Sequence, residues 1–198
     1  MTSNLIQTGG RNETQIDLEA CLFQVEASKA WFHDRVLPLS IGQLRWRPDP
    51  WHWSIAECLD HLNITLDLYL PRIADAAAHG RRRAGDGHGS YRQIELEALE
   101  LMEPPVLLPA PAPPPALPAA AIDPDRLVDR FHQLRDRYAD AVRRADGLDL
   151  PRIEIEESIY PMVHSLGATL ALLAAHDRRH MWQAERVRQN PRFPRVTF

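Results

Sequence analysis

The residues with the most direct chemical reading are two histidines. His176 and His180 stand four apart, so an α-helix projects both imidazoles from one face, one turn apart, as a pair of nitrogen ligands for a divalent cation requires. Nine histidines in 198 residues give about 0.4 such pairs by chance, so the spacing alone is weak evidence. Position adds to it. At heptad spacing Leu166, Thr169, Leu173, His176, His180, Gln183 and Val187 form one seam, which sets both imidazoles where leucines fill a helical core. Two imidazoles buried on such a seam need partners for their ring nitrogens: a metal ion, or hydrogen bonds to neighbouring carboxylates. Both readings stand at this point. The sequence carries no Gly-x-Ser-x-Gly elbow, P-loop, dinucleotide fingerprint or CxxC pair. Cys21 and Cys58 are expected to be reduced, buried thiols, and no catalytic residue is assigned.

Four segments of helical periodicity must position these groups. The first is expected over Glu13 to Leu37, with Ile16, Ala20, Phe23, Ala27, Ala30 and Trp31 at helical spacing and Pro38 beyond. After a loop holding Trp46, Trp51 and Trp53, Ser54 and Glu57 have the spacing of a capping box and open a second helix, Ser54 to His79. Its stripe is Ile55, Leu59, Leu62, Leu66, Tyr69 and Ile73. Ile64 and Leu68 widen the apolar arc beyond one partner surface, so this helix is either central in a bundle or half of a homodimer interface. Pro71 is expected to kink it, or to end it near Leu70. Arg81 to Arg83 sit in a loop rich in glycine, and Tyr91 to Met102 forms a short helix at most. Eight of the fifteen residues from Pro104 to Pro118 are proline, which forbids helix and sheet and favours an extended chain. The third helix opens at Asp123 before Pro124, buries Leu127, Phe131, Leu134, Tyr138, Ala141 and Ala145, covers its other face with arginine and aspartate, and stops at Gly147. The fourth runs from Leu166 to Gln189, and only Arg152 to Ile155 hints at a strand. The expected fold is therefore one all-α domain over 1–198, a four-helix bundle with a disordered tail over 1–12 and a proline-rich crossover over 103–122 between the second and third helices.

Composition narrows the function classes. With 23 basic and 27 acidic side chains the net charge is −4, and nucleic-acid binders draw most of their affinity from a basic balance, so nucleic acid is not an expected partner. The run Leu166 to Ala175 is roughly half the length a bilayer crossing needs, and Asp177, Arg178 and Arg179 follow it, so no membrane span is expected. Met1 to Gly10 lack the basic start and apolar stretch of a secretory signal, which points to the cytoplasm.

Two motifs carry a family resemblance. Trp53-Ser-Ile-Ala-Glu-Cys-Leu-Asp-His61-Leu, after a Trp-x-Pro loop, resembles the second helix of the DinB-like superfamily. His176-Asp-Arg-Arg-His180-Met-Trp-Gln183, followed by Pro191-Arg-Phe-Pro194, is similar to its last helix. The resemblance implies a four-helix bundle in which His61, His176 and His180 bind a divalent metal ion, zinc or nickel. On an ideal straight helix His61 lies about 120° from the centre of the second helix's stripe. Three imidazoles leave a coordination position open, as in catalytic rather than structural centres. The resemblance further implies a small-molecule substrate: relatives include S-transferases that use a low-molecular-weight thiol of the bacillithiol or mycothiol type, a thiol-dependent isomerase and hydrolases. The alternative is a non-catalytic, dimeric stress-response or interaction protein with a structural metal or none. Around such a centre Glu57, Asp60 and Asp177 are candidates to orient the rings, with capping or solvation as their ordinary roles. Tyr160, His164 and the three tryptophans are candidates to line the open side.

Overall fold

The computed structural model describes residues 6–9, 13–82, 90–106, 111–156 and 159–195. Two short strands, β1 (Ile6–Gly9) and β2 (Glu13–Ile16), pair antiparallel with Ile6 opposite Ile16. Strand β2 corrects the expected helix start at Glu13; residues 1–5 and 10–12 of the expected tail lie outside the described set. Helix α1 (Leu18–Arg35) begins instead where the Asp17 carboxylate accepts from the Ala20 N–H at 3.0 Å, satisfying a donor that the first turn leaves unpaired. A short α2 (Ile41–Arg45), unforeseen in the sequence, is opened by a Ser40–Gln43 capping box.

Helix α3 (Ile55–His79) has its capping box where the sequence placed it, with Ser54 and Glu57 bonded reciprocally. It does not end at Leu70. Pro71 leaves the Asp67 carbonyl without its helical donor, yet the proline is exposed to water, and the neighbouring Arg72 guanidinium donates to the Leu68 carbonyl. Helix α4 (Gln93–Met102) is followed by the proline-rich residues, in which Pro114–Ala116 make one 3₁₀ turn; residues 107–110 lie outside the described set. Helix α5 (Pro124–Arg144) starts at the Asp123 cap, with Gly147 beyond it at φ 75°. Helix α6 (Leu166–Arg188) starts at Ser165, just after an isolated bridge between Glu154 and Ser165, all that forms of the hinted strand.

The described chain is mostly helical. α3 packs on α5 and α6, α1 packs on α6 and α5, and α4 packs on α6. The stripe of α3 is buried within the chain, against α2 and the 3₁₀ turn as well as α5 and α6, while Ile64 and Leu68, which widen its apolar arc, are half-buried. Two apolar clusters fill the interior, one around Leu66, Tyr69, Tyr138 and Leu170, the other around Phe32, Leu59, Phe131 and Val187, where Phe32 and Phe131 stack at 4.2 Å. Between them on each long helix lie polar side chains: Ser28 on α1, His61 and Asn63 on α3, Arg135 on α5, and His176, Asp177 and His180 on α6. Arg135 corrects the expected polar outer face of α5, because it is wholly buried. Its guanidinium meets both Asp177 oxygens at 2.8 and 3.2 Å, Asn63 Oδ1 at 3.1 Å, and lies over the Phe131 ring.

Candidate metal centre

His61 sits in the second turn of α3, where residues 54–59 and 61–63 are all buried. With neighbours on nearly every side, this part of the helix has no outer face, so a residue far from the centre of the apolar stripe is still inward. His61 is 1% exposed. His176 and His180, on successive turns of α6, are 2% and 7% exposed. The three rings meet with centroids 4.5 to 4.9 Å apart, and one ligand atom from each can be chosen so that all lie within 4.8 Å of one another.

Hydrogen bonds fix which nitrogens face inward. His61 Nδ1 donates to the Ala116 carbonyl at 2.6 Å, and His180 Nδ1 donates to Gln183 Oε1 at 2.9 Å. Each ring then carries its lone pair on Nε2. His61 Nε2 lies 3.0 Å from His176 Nε2. Neighbouring nitrogens on a tetrahedral zinc with bonds of about 2.0–2.1 Å sit about 3.3 Å apart, so the triad fits a divalent ion at the scale of its spacing. Imidazole is also the right chemistry for zinc or nickel. Electrostatics agree. Burial, then the neighbouring His180 and His61 rings, holds His176 well below the ordinary imidazole range; burial and His61 do the same to His180, and burial lowers His61 against the pull of the Ala116 carbonyl. Neutral rings are the metal-binding form. The carboxylate reading of these histidines is corrected: among the described residues their bonds run to a backbone carbonyl, an amide, a phenol and each other.

The model of the DinB superfamily matches residues 24–184. The chain belongs to the DinB superfamily. No curated protein and no solved structure matches it. Among the described residues of this DinB-superfamily chain, no helix is long and apolar enough to cross a membrane.

The other candidates separate cleanly. Trp53 packs against His61 and His180 at centroid distances of 5.0 and 5.8 Å; Trp46 packs on Phe193, and Trp51 is 90% exposed. Tyr160 reaches the centre, with its hydroxyl 3.3 Å from His176 Nε2, whereas His164 turns to the Pro161 carbonyl at 2.6 Å. None of the three carboxylates orients a ring. Glu57 caps α3 and pairs with Arg47, Asp60 accepts from the Ala119 N–H at 2.8 Å, and Asp177 accepts from Ser28 and Arg135. Cys58 is fully buried, and burial pushes its thiol up and away from the thiolate a metal needs. Two ring-orienting partners escaped the sequence reading. Gln183 was visible only as a seam position, although its i, i+3 offset from His180 carries the signal; the Ala116 carbonyl has none, being backbone from a remote segment. A cleft of about 1170 Å³ lined by Pro71, Ala76, Gly80, Arg81, Arg82 and Ile153 lies at the C-terminal end of α3, separate from the histidines. Arg83 and the rest of its loop to residue 89 lie outside the described set.

Proposed function

We propose that this DinB-superfamily chain is a cytoplasmic four-helix bundle with a proline-rich crossover, that it holds zinc or nickel on His61, His176 and His180, and that it is a metal-dependent enzyme, a thiol S-transferase or hydrolase acting on a small electrophile. The observation that supports the reading is the convergence of three buried imidazoles, two of which have their outer nitrogens committed to oxygen acceptors. Three protein ligands leave one position for a substrate or water, and a divalent ion there supplies Lewis acidity that turns a thiol or water into a nucleophile at neutral pH. The residues around the triad do the rest. Trp53 walls two of the rings, and the near-complete burial of the three histidines keeps bulk water from the ring nitrogens. The Tyr160 hydroxyl, next to His176 Nε2, is placed to donate a hydrogen bond to an atom on the open side. Its proton stays on, because burial pushes the phenol above its ordinary range.

The test is a turnover screen of zinc- and nickel-loaded protein against alkyl halides, epoxides and activated esters, each with several low-molecular-weight thiols and with water alone. Turnover that needs metal and disappears in His176→Ala/His180→Ala is the expected result. Metal-loaded protein without metal-dependent turnover on any pairing refutes the catalytic reading and leaves the ion, where bound, structural.

A further inference from the structure

The proline-rich residues 111–122 cross the histidine centre as a strap, and their exposure is uneven. Ala116 is fully buried, while the residues around it are exposed or half-buried, Leu117 at 51%. Apart from Ile122 at its end, which packs half-buried against the core, the segment hides a single small residue and leaves an apolar leucine in water, so it adds little to the core. What Ala116 brings inward is its carbonyl. The 3₁₀ turn that aims it is closed by the Ala116 N–H bonded to the Pro113 carbonyl at 2.9 Å, and prolines 113–115 set their own φ before docking, so little chain entropy is lost. Two further bonds hold the strap beyond Ala116: the Ala119 N–H to Asp60 Oδ2 at 2.8 Å, to the residue beside His61, and Arg45 Nη2 to the Ile122 carbonyl at 2.9 Å. Asp60, which hydrogen-bonds to none of the rings, anchors the piece of backbone that reaches one of them.

We propose that this strap is a positioning element of the histidine centre: docked through Asp60, it presents the Ala116 carbonyl that holds His61 with its proton on Nδ1 and its lone pair on Nε2, so strap docking and metal affinity rise together. The inference rests on the reading of the triad as a metal site. A ring freed from the strap rotates and exchanges tautomers, and each misoriented state must be reversed before the ion binds. Partners of this kind change metal affinity by about 10–100-fold. Coupling is reciprocal, so an ion bound at the triad in turn tightens the strap.

The experiment uses the full chain and two variants. Asp60→Ala removes the acceptor for Ala119; Asp60→Asn keeps an acceptor oxygen while removing the charge. Nitrogen-15 NMR of the His61 imidazole in metal-free protein reads the tautomer, and competition against a chromogenic chelator reads zinc affinity. The parent and Asp60→Asn are expected to show the Nδ1–H form and equal zinc affinity; Asp60→Ala is expected to show mixed tautomers, with zinc bound at least tenfold more weakly and an unchanged circular dichroism spectrum. Unchanged tautomer and affinity in Asp60→Ala overturn the proposal while leaving the metal site intact. Equal weakening in Asp60→Asn and Asp60→Ala overturns it in favour of a charge effect. A parent that binds no zinc overturns the metal reading and the affinity half of the proposal together, and the tautomer measurement still decides the positioning half.

Discussion

Replacing Asp177 with asparagine tests whether the buried polar residues on the long helices hold the fold together independently of the histidines. Asp177 accepts from Arg135 Nη2 at 2.8 Å, from Arg135 Nε at 3.2 Å and from the Ser28 hydroxyl at 2.8 Å, and Arg135 has no exposure to water through which its charge could be solvated. Asparagine preserves the shape and one oxygen, so little packing is lost and the effect is electrostatic. An uncompensated buried cation costs about 3–5 kcal/mol. For a chain of this length each kcal/mol lowers Tm by about 2–4 °C, which gives a fall of about 6–20 °C. Calorimetry and urea titration should agree on it. Arg135→Met/Asp177→Leu, which removes both charges and keeps apolar volume, should recover most of the loss, because burying an ion pair is costly in itself. Among the described residues, Ser28 on α1 and Arg135 on α5, the Asp177 partners, make no hydrogen bond to a ring nitrogen of the triad, so folded Asp177→Asn protein should bind zinc with the parent's stoichiometry. A loss below about 1 kcal/mol in Asp177→Asn would refute the reasoning, since Arg135 would then have another source of compensation.

Three other outcomes follow from the same structure. Zinc at one hundred times its dissociation constant should raise Tm by about 5–10 °C, from about 2.7 kcal/mol of linkage, and should do nothing to His61→Ala/His176→Ala/His180→Ala; a scanning calorimeter reads both. Burial disfavours the Glu95 carboxylate, but Arg92 and the N–H groups of Ser165, His164 and Arg92 outweigh it and hold its pKa at about 2. That lies below the unfolded value of about 4.3, so the stabilisation is present above that value and is lost as pH falls through about 2. Glu95→Gln should therefore trail the parent in urea titrations at pH 7 and converge with it in acid; a constant gap down to pH 2 would contradict the assignment. A Cβ on Gly167 would stand 2.1 Å from the Tyr91 hydroxyl oxygen and 2.9 Å from two ring carbons, so Gly167→Ala should cost about 1–3 kcal/mol in thermal unfolding, and Tyr91→Ala should relieve the clash.

How much of this was legible in the sequence depended on whether a residue's neighbours are local. The starts of α3 and α5 were readable because caps are local chemistry: Ser54 with Glu57 and Asp123 with Pro124 act within three residues, whereas the start of α6 came from periodicity and its Ser165 cap was not read. His176 and His180 were readable from spacing and seam. His61 came from family resemblance, and periodicity placed it well off the stripe, because a stripe measures one preferred face and the first turns of α3 have neighbours on almost all sides. Arg135 looked like a surface residue since its partner is 42 positions away. The Ala116 carbonyl was invisible, as backbone groups carry no identity in a sequence, and it meets His61 across 55 positions. Of the two outcomes read from Pro71, a kink or an end near Leu70, the end does not occur: the helix runs on to His79, with the proline on its exposed side.

The central claim is that three imidazoles from α3 and α6 form one divalent-metal site. Elemental analysis of the purified, untagged protein beside His176→Ala/His180→Ala tests it most directly. The expected result is one zinc or nickel ion per chain in the parent and none in the variant, with the helical circular dichroism of both alike. Absence of bound metal from the parent after reconstitution with zinc and with nickel would contradict the claim and leave the three rings as core histidines bonded to Ala116, Gln183 and Tyr160.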